Sequence, residues 1–326
     1  MPPRSPSEIV PDAELLTEDE IRKENVKAIM DIMFPTALDY VKWLARRGLI
    51  ANKLLCIQCN IYCSFTISRD SRDGHIFRCR LCSKRKSLRH NSFFSKSNLD
   101  LKQLVVIMLC WANGRLQKDT AVEARTSGHT MIDWANYCRE VCAKDLIKHP
   151  PLLGGYDEEA ESPRIVEIEL SEDLMRGKRQ RGKIRDTRWV LGGVERKTGR
   201  AFIVEVKEMH RKSIISIIQE NILPETIIIT NDSDVFKDLD KVSNGIYQHY
   251  TLDGQELVDE TDSDIHLNSI RSLWLRTRAK IREQCGTVEG MFASYLNEFV
   301  WREQHRNGDS DLFSEFILCV RRQYPV

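Results

Sequence analysis

Two pairs of cysteines constrain the amino-terminal third of the chain more than any other feature. Cys56 and Cys59 are separated by two residues, as are Cys79 and Cys82, and nineteen residues lie between the pairs. Two such pairs on separate hairpins are typical of a zinc ribbon, in which four thiolates hold the metal tetrahedrally. The expected zinc is structural, because four thiolates leave no coordination position open for water. Buried free cysteines or disulfides are the alternative.

The predicted ribbon is locally basic in a chain whose formal net charge is only +1. A local cluster of cations, rather than the charge of the whole chain, would therefore have to attract nucleic acid. The alternative is a solvated charged surface without a ligand. The densest part of the cluster contains six cations that we predict to contact DNA: Arg78, Arg80, Lys84, Arg85, Lys86 and Arg89.

Helical patterns surround the ribbon. A capping box at Thr17 predicts a helix to about residue 33, and a second helix is predicted over 36–47. After the ribbon, helices predicted at 101–113, 117–124 and 129–144 have the spacing of a helix-turn-helix, whose second helix would enter the major groove. The candidates to face DNA are His129, Thr130, Asp133, Asn136 and Arg139. The residues predicted to face the core are Ile132, Trp134, Tyr137 and Val141.

From about residue 164 the pattern changes from helices to strands. Strands are predicted at 165–170, 189–195, 201–206, 226–230 and 248–252, with helices at 214–222 and near 234–239, and two closing helices at 288–304 and 311–322. The expected fold class is a multidomain α+β or α/β protein. The predicted domains are a disordered tail (1–16), a helical lead-in (17–50), a zinc ribbon (51–97), a helix-turn-helix (98–148), a linker (149–163) and a strand-rich domain (164–326).

Several segments resemble those of the Merlin-type (ISXO-like) DDE transposases. His266-Leu-Asn-Ser-Ile-Arg-Ser-Leu-Trp274 is similar to that family's HTN-x-IE-S-x-W segment, and Lys84-Arg-Lys-Ser87 and Ser92-Phe-Phe94 stand in the family's order. The resemblance covers most of the chain from about residue 40. It implies an RNase H-like (DDE transposase/integrase) fold for the strand-rich domain and DNA as a partner.

The resemblance also indicates where three metal-binding acids would lie. The family's VEID corresponds to Val166-Glu-Ile-Glu169, so Glu169 keeps the first charge. The family's IISD corresponds to Ile228-Ile-Thr-Asn231, and Arg271 stands at the third acid. DDE chemistry uses two divalent cations, which prefer anionic oxygen ligands. We therefore expect no bound Mg²⁺ and no nuclease activity at the degenerate triad positions Glu169, Asn231 and Arg271.

A basic run at 176–188 is similar to the family's GKRKYxRG segment, and we predict DNA contacts from Lys178, Arg179 and Arg181. The run could also act as a nuclear-import signal, or could be a solvated loop. No apolar run has the length of a membrane span, and the chain is expected to be intracellular.

The resulting prediction is a transposase-derived DNA-binding protein in the nucleus, catalytically inactive, with protein partners and a possible homo-oligomeric state. The alternatives are an active DDE transposase that cleaves and transfers DNA strands with divalent metal, and a protein-interaction scaffold without DNA binding.

Overall fold

The computed structural model describes residues 7–24, 36–172, 188–252, 265–283, 289–306, 308 and 310–326. The chain divides into two compact units, one formed by Met1–Val141 with Gly308–Val326 and the other by Cys142–Asn307. The helices and strands before residue 150 are α1 (Glu18–Lys23), α2 (Ala37–Arg46), β1 (Ser64–Ile67), β2 (His75–Arg78), β3 (Arg85–Ser87), α3 (Leu101–Ala112), α4 (Gln117–Glu123) and α5 (Gly128–Lys148). Those after it are β4 (Leu153–Gly154), β5 (Tyr156–Asp157), β6 (Ser162–Pro163), β7 (Ile165–Ser171), β8 (Trp189–Glu195), β9 (Ala201–Val206), α6 (Arg211–Asn221), β10 (Ile222–Leu223), β11 (Thr226–Asn231), β12 (Tyr247–Leu252), α7 (Asn268–Glu283), α8 (Phe292–His305) and α9 (Leu312–Gln323).

Residues 7–16 of the first unit have a defined structure, which corrects the expected disordered tail over 7–16. Ile9 and Val10 are buried, and both of their N–H groups donate to Asn52 Oδ1, at 3.1 and 2.9 Å. Burial of Ile9 and Val10 and their hydrogen bonds to the Asn52 amide stabilise this segment, although its polar composition favours disorder. The capping box at Thr17 does start α1, but that helix ends at Lys23 instead of continuing to residue 33, and residues 25–35 lie outside the described ranges.

The last helix, α9, belongs to the first unit, although the sequence places it in the strand-rich domain. Phe313 stacks with Trp43 of α2, and Phe316 lies against Trp111 of α3 with ring centroids 4.8 Å apart. Arg321 Nη1 also donates to the carbonyl of Leu16 at 2.8 Å. The amphipathic pattern of the helix predicts a buried face, but these aromatic contacts determine which core covers it. The predicted domain 164–326 therefore ends before residue 308.

A five-stranded sheet with the order β12-β11-β7-β8-β9 forms the centre of the second unit. β7, β8 and β9 are antiparallel neighbours, whereas β11 and β12 run parallel to β7. The five strands and the helix α6 lie where the sequence predicts them. The helix predicted near 234–239 is replaced by two 3₁₀ segments, Asp234–Phe236 and Leu239–Asn244.

Helices cover both faces of this sheet. Val166, Ile168 and Ile228 point to the face that packs on Ile214 and Ile218 of α6. The opposite face packs on α7 and α8 through side chains that include Ile229, Val190, Ile270 and Trp274. Because side chains alternate along a strand, Glu167 and Glu169 of β7 lie on this second face, under α7.

The segment predicted as a linker, 149–163, is partly built into the second unit, which corrects that prediction. Leu153 is fully buried, and β4 pairs in parallel with β10. Gly154 has a φ of +79°, and a Cβ there would lie 2.1 Å from Thr226 Oγ1, so no side chain fits. Its N–H donates to Glu195 Oε2 at 2.7 Å. Glycine is therefore needed here because the backbone passes close to Thr226, and the segment is not a flexible connection.

Within the ranges that the structure describes, none of the helices combines the length and the apolar character needed to cross a membrane.

Candidate functional site

Four cysteines of the first unit converge on one point. Cys56 precedes β1, Cys79 and Cys82 lie in the turn after β2, and the Sγ atoms of these three and of Cys59 all lie within 4.8 Å of one another. The Sγ atoms of Cys56 and Cys82 are 3.6 Å apart. A tetrahedral Zn–S site with bonds of about 2.3 Å requires sulfur atoms about 3.8 Å apart. The four thiols can therefore hold a metal ion such as zinc.

Backbone groups around the cluster favour a thiolate. N–H groups in the turn, that of Cys82 first and then that of Leu81, point at Cys79 and lower the pKa of its thiol to about 6. The thiolate is the form that binds metal. Cys63 is not part of the cluster; it is buried, and burial raises the pKa of its thiol. This agrees with four ligands from two Cys-x2-Cys pairs and a fifth cysteine that only packs.

The basic residues of the same module divide into exposed and buried groups. All three side chains of β3 are exposed, and so is Lys84, which precedes the strand, so that Lys84, Arg85 and Lys86 form an exposed basic row. Arg78 and Arg80 are exposed too, although Arg80 Nε donates to Ser64 Oγ. Five of the six predicted cations can therefore reach a ligand in solvent.

Arg89 is the sixth, and it cannot contact DNA as predicted. It is 4% exposed, and its guanidinium donates twice to Asp73, from Nε to Oδ2 at 2.8 Å and from Nη2 to Oδ1 at 2.5 Å. Nη1 donates to the carbonyls of Ser97 and Leu99 at 3.2 and 2.7 Å. All three guanidinium nitrogens are occupied, so Arg89 holds the ribbon to the chain that follows it.

The amino-terminal end of α5 presents part of the set predicted to face DNA. His129 and Asp133 are exposed, and Thr130 is half-buried with its N–H donating to Ser127 Oγ at 3.1 Å. Asn136 is half-buried and accepts a hydrogen bond from Arg139, which is buried rather than available as predicted.

The predicted core face of α5 is wrong at two positions. Ile132 and Tyr137 are each 49% exposed, whereas Trp134 and Val141 are buried as expected. The buried stripe passes instead through Met131, Ala135 and Cys138. Its three- and four-residue spacing is that of a helix face shifted by one residue from the predicted one.

A second candidate site lies in the other unit, where β7 and β11 end beneath α7. Ile229 pairs with Glu167, and β11 ends two residues further on, at Asn231. Glu169 is the corresponding residue of β7, two residues before that strand ends at Ser171. Continued for two residues beyond the last pair, this register places Asn231 beside Glu169 on the face that α7 covers. Arg271 lies in the first turn of α7 and acts electrostatically on Glu169. The three positions that sequence analysis singled out are thus brought together.

Trp274 fixes α7 over this strand end. Its Nε1–H donates to Glu169 Oε2 at 2.9 Å, and its ring lies over Gly192 of β8, the residue paired with Glu169. A Cβ at Gly192 would lie 2.4 Å from the indole, so only glycine leaves room for the ring. Burial raises the pKa of Glu169, against the opposite effects of the Trp274 hydrogen bond, Arg271 and Arg278.

Glu167 has a structural role that sequence analysis missed. It is fully buried; Oε1 accepts from Arg196 Nε at 2.7 Å, with His266 Nδ1 at 3.2 Å, and Oε2 accepts from the N–H of Ile270 at 2.9 Å. Arg196 Nη2 also donates to the carbonyl of His266 at 2.8 Å. This network joins β7 to the start of α7. The only signal in the sequence was the alternation that puts Glu167 on the face of Glu169.

The donor set at the strand end does not fit the pair of divalent cations that the resemblance implies. Mg²⁺ takes hard oxygen ligands, above all carboxylates, and two ions need several of them. Glu169 is one carboxylate whose Oε2 is already bonded to an indole N–H, Asn231 is an uncharged amide, and Arg271 is a cation.

Of the other residues predicted for DNA contact, Lys178, Arg179 and Arg181 lie outside the described residues.

One comparison with known proteins supports the resemblance over most of the second unit. Residues 166–304 match the family model of the ISXO2-like transposase domain, a range that includes Glu169, Asn231 and Arg271. One similar solved structure is a chain of the "CryoEM structure of simian T-cell lymphotropic virus intasome in complex with PP2A regulatory subunit B56 gamma", with 11% identity, coverage of 60% of this chain and 67% of that chain, and a TM-score of 0.30. No curated protein sequence matches the chain. The family-model match confirms the ISXO-like resemblance over residues 166–304.

Proposed function

We propose that this chain, a member of the ISXO-like transposase family through residues 166–304, is a catalytically inactive DNA-binding protein that acts in the nucleus. In this proposal the cysteine cluster holds structural zinc in a ribbon, and α4 and α5 form a helix-turn-helix. The sheet order β12-β11-β7-β8-β9, with one antiparallel half and one parallel half, supports an RNase H-like fold for the second unit.

The observation that carries DNA binding is the exposed basic row at the start of β3. Lys84, Arg85 and Lys86 are consecutive, all are exposed, and they lie beside Cys82, a ligand of the proposed zinc. A metal site fixes the backbone of such a small sheet, so the cations are held together on one edge instead of being dispersed on a mobile loop. Consecutive cations on a rigid edge can follow a phosphate backbone and displace its counterions.

The composition of the strand-end site supports the absence of catalysis. A divalent cation about 4 Å from a guanidinium experiences roughly 8 kcal/mol of repulsion at an effective dielectric constant of about 20. Glu169 would have to offset this without a second carboxylate from Asn231. Asp232 is adjacent, but neighbouring residues of an extended segment point to opposite sides, so it does not replace Asn231.

The test is charge reversal of the row in the zinc-loaded chain, Lys84→Glu/Arg85→Glu/Lys86→Glu, with affinity for duplex DNA measured across salt concentrations. We expect the affinity to fall by about two orders of magnitude and the dependence on log salt to become shallower by about 2.7, since each lost phosphate contact removes about 0.9. The matched control reverses three exposed cations of the second unit, Lys207, Arg211 and Lys212, and should keep most of the affinity. Unchanged affinity and slope in the first variant would contradict the proposal.

The alternative of a protein-interaction scaffold is supported by apolar side chains on the two cysteine turns. Ile57 is 92% exposed and Leu81 is 71% exposed, and protein contacts are marked by exposed apolar side chains that together form a patch. A wild-type chain with no measurable DNA affinity at low salt would favour this alternative. Cleavage of DNA that requires Mg²⁺ and is lost in Glu169→Ala would favour an active transposase.

A further inference from the structure

Two arginines of α7 flank Trp274 on the side of the helix that faces the sheet. Arg271 precedes Trp274 by three residues and Arg278 follows it by four, spacings that put all three side chains on one helix face. The indole hydrogen bond to Glu169 directs this face towards the end of β7. Both guanidinium groups act electrostatically on the Glu169 carboxyl.

Neither arginine is used by the described part of the fold. Among the described residues, no carboxylate lies within 4.0 Å of either guanidinium, and Arg278 Nε is buried without an acceptor. Four other arginines that lie near this sheet are paired with acids: Arg188 with Glu205, Arg196 with Glu167, Arg276 with Glu303 and Arg302 with Glu298. A buried donor without an acceptor is unfavourable, so an anion bonded to it would be stabilised.

Asn231 offers a further polar group at the same strand end. Its Oδ1 is buried and has no hydrogen-bond partner in the described part of the chain. The two ends of an asparagine amide are assigned from their neighbours, so rotating the amide would turn its NH₂ group towards the same space. An amide donor and two guanidinium groups are a set that binds oxyanions.

The charges favour an anion over a cation. Arg271 and Arg278 carry two positive charges against one negative charge on Glu169. Glu167 adds no free negative charge, because its carboxylate is bonded to Arg196 and to the N–H of Ile270. The forked guanidinium group matches the oxygens of phosphate in geometry as well as in charge.

We propose that Arg271, Arg278 and Asn231 form a site that binds a phosphate group without divalent metal, beside Glu169. The phosphate would come from a nucleic-acid strand or from free phosphate. The nucleic-acid source rests on the proposed function, whereas the binding of phosphate itself does not.

The first test is a calorimetric titration of the zinc-loaded chain with inorganic phosphate at constant ionic strength, with no added Mg²⁺. The wild-type chain should bind phosphate, and Arg271→Gln/Arg278→Gln should bind it at least about tenfold more weakly, because charge-assisted hydrogen bonds are lost. Lys212→Gln, which removes an exposed cation of α6 on the opposite face of the sheet, should match the wild-type chain. Equal affinity in the double variant and the wild-type chain would overturn the proposal.

Glu169→Gln separates a phosphate site from a metal site. Gln keeps an oxygen for the Trp274 N–H but removes the negative charge, so phosphate affinity should rise about fivefold. If Glu169 held a metal that in turn bound the phosphate, the same substitution would lower the affinity. A decrease would therefore overturn the proposal, and so would a wild-type affinity that appears only after Mg²⁺ is added.

The source of the phosphate is distinguished by a second arm with a single-stranded oligonucleotide of about five nucleotides. An oligonucleotide affinity that follows the same order of variants assigns the site to nucleic acid, whereas a response to inorganic phosphate alone assigns it to free phosphate. Charge reversal of Lys84, Arg85 and Lys86 should leave the inorganic phosphate titration unchanged. The two proposals can therefore fail separately. A chain that does not bind duplex DNA would contradict the proposed function, whereas a chain that does not bind inorganic phosphate would contradict the phosphate site.

Discussion

The cysteine cluster and the strand-end site, both within the described residues, each bring metal-binding residue types together, and they differ in completeness. The cluster has four thiols within 4.8 Å of one another and backbone N–H groups that favour a thiolate. The strand end has one carboxylate, one amide and a guanidinium. The first set can hold a metal ion, whereas we propose that the second repels a metal ion and binds an anion.

The difference also separates two ways of building a site. The thiols come from two short turns, so the spacing within each pair already determines much of the geometry. The strand-end site depends on β7, β11 and α7, which the sheet register and the Glu167 network align from positions about a hundred residues apart. A chain can therefore keep this scaffold intact while the residues at its centre change their chemistry.

The largest effect is expected from removing one thiol of the cluster. Structural zinc contributes on the order of 10 kcal/mol that is also folding free energy. Cys79→Ser should therefore lose bound zinc and unfold the sheet β1–β2–β3, which elemental analysis and amide hydrogen exchange would detect. Cys63→Ala is the matched control, since Cys63 is buried in the same module but is not one of the four. Zinc retained in the first variant, or lost in the second, would show that the ligands are assigned wrongly.

The second prediction compares two arginines that the sequence treats alike. Arg89→Gln removes one partner of a buried ion pair with Asp73 and should lower the free energy of unfolding by about 3–5 kcal/mol. Arg85→Gln removes an exposed cation and should change stability by less than about 0.5 kcal/mol while weakening DNA binding. Chemical denaturation and DNA titration of both variants would test this. Equal stabilities of the two variants would contradict the assignment of Arg89 to the fold.

The smallest effect is a pH dependence at the strand end. Burial raises the pKa of Glu169 above its ordinary value of 4.5, so the folded chain binds this proton more tightly than the unfolded chain. The bound proton of Glu169 therefore adds to the free energy of unfolding below the ordinary pKa of 4.5, and this contribution is lost as the pH rises through the pKa of the folded chain. Glu169→Gln should melt higher than the wild-type chain at pH 7 and equally near pH 4. A difference that instead grows as the pH falls would show that the charged form is stabilised.

Much of the fold could be predicted because its signals are local. Paired cysteines, the capping box at Thr17 and the alternation in β7 each depend on a few neighbouring residues. The wrong predictions concern residues whose burial depends on a partner that is distant in the sequence. No count of cations shows that Asp73 occupies Arg89, and no helical periodicity shows that Trp43 and Trp111 cover α9. The role of Glu167 likewise depends on Arg196 and Ile270, both far away in the chain.

The most direct measurement is a calorimetric titration of the zinc-loaded chain with Mn²⁺ and Mg²⁺, beside a variant in which the three acids are restored, Glu169→Asp/Asn231→Asp/Arg271→Glu. The wild-type chain should bind neither ion at concentrations up to about 10 mM, whereas the variant should gain metal binding, because three carboxylates would replace the present set. Binding of two ions per wild-type chain at micromolar concentration would contradict the account, since Glu169, Asn231 and Arg271 could not then be the residues that determine the metal chemistry of this domain.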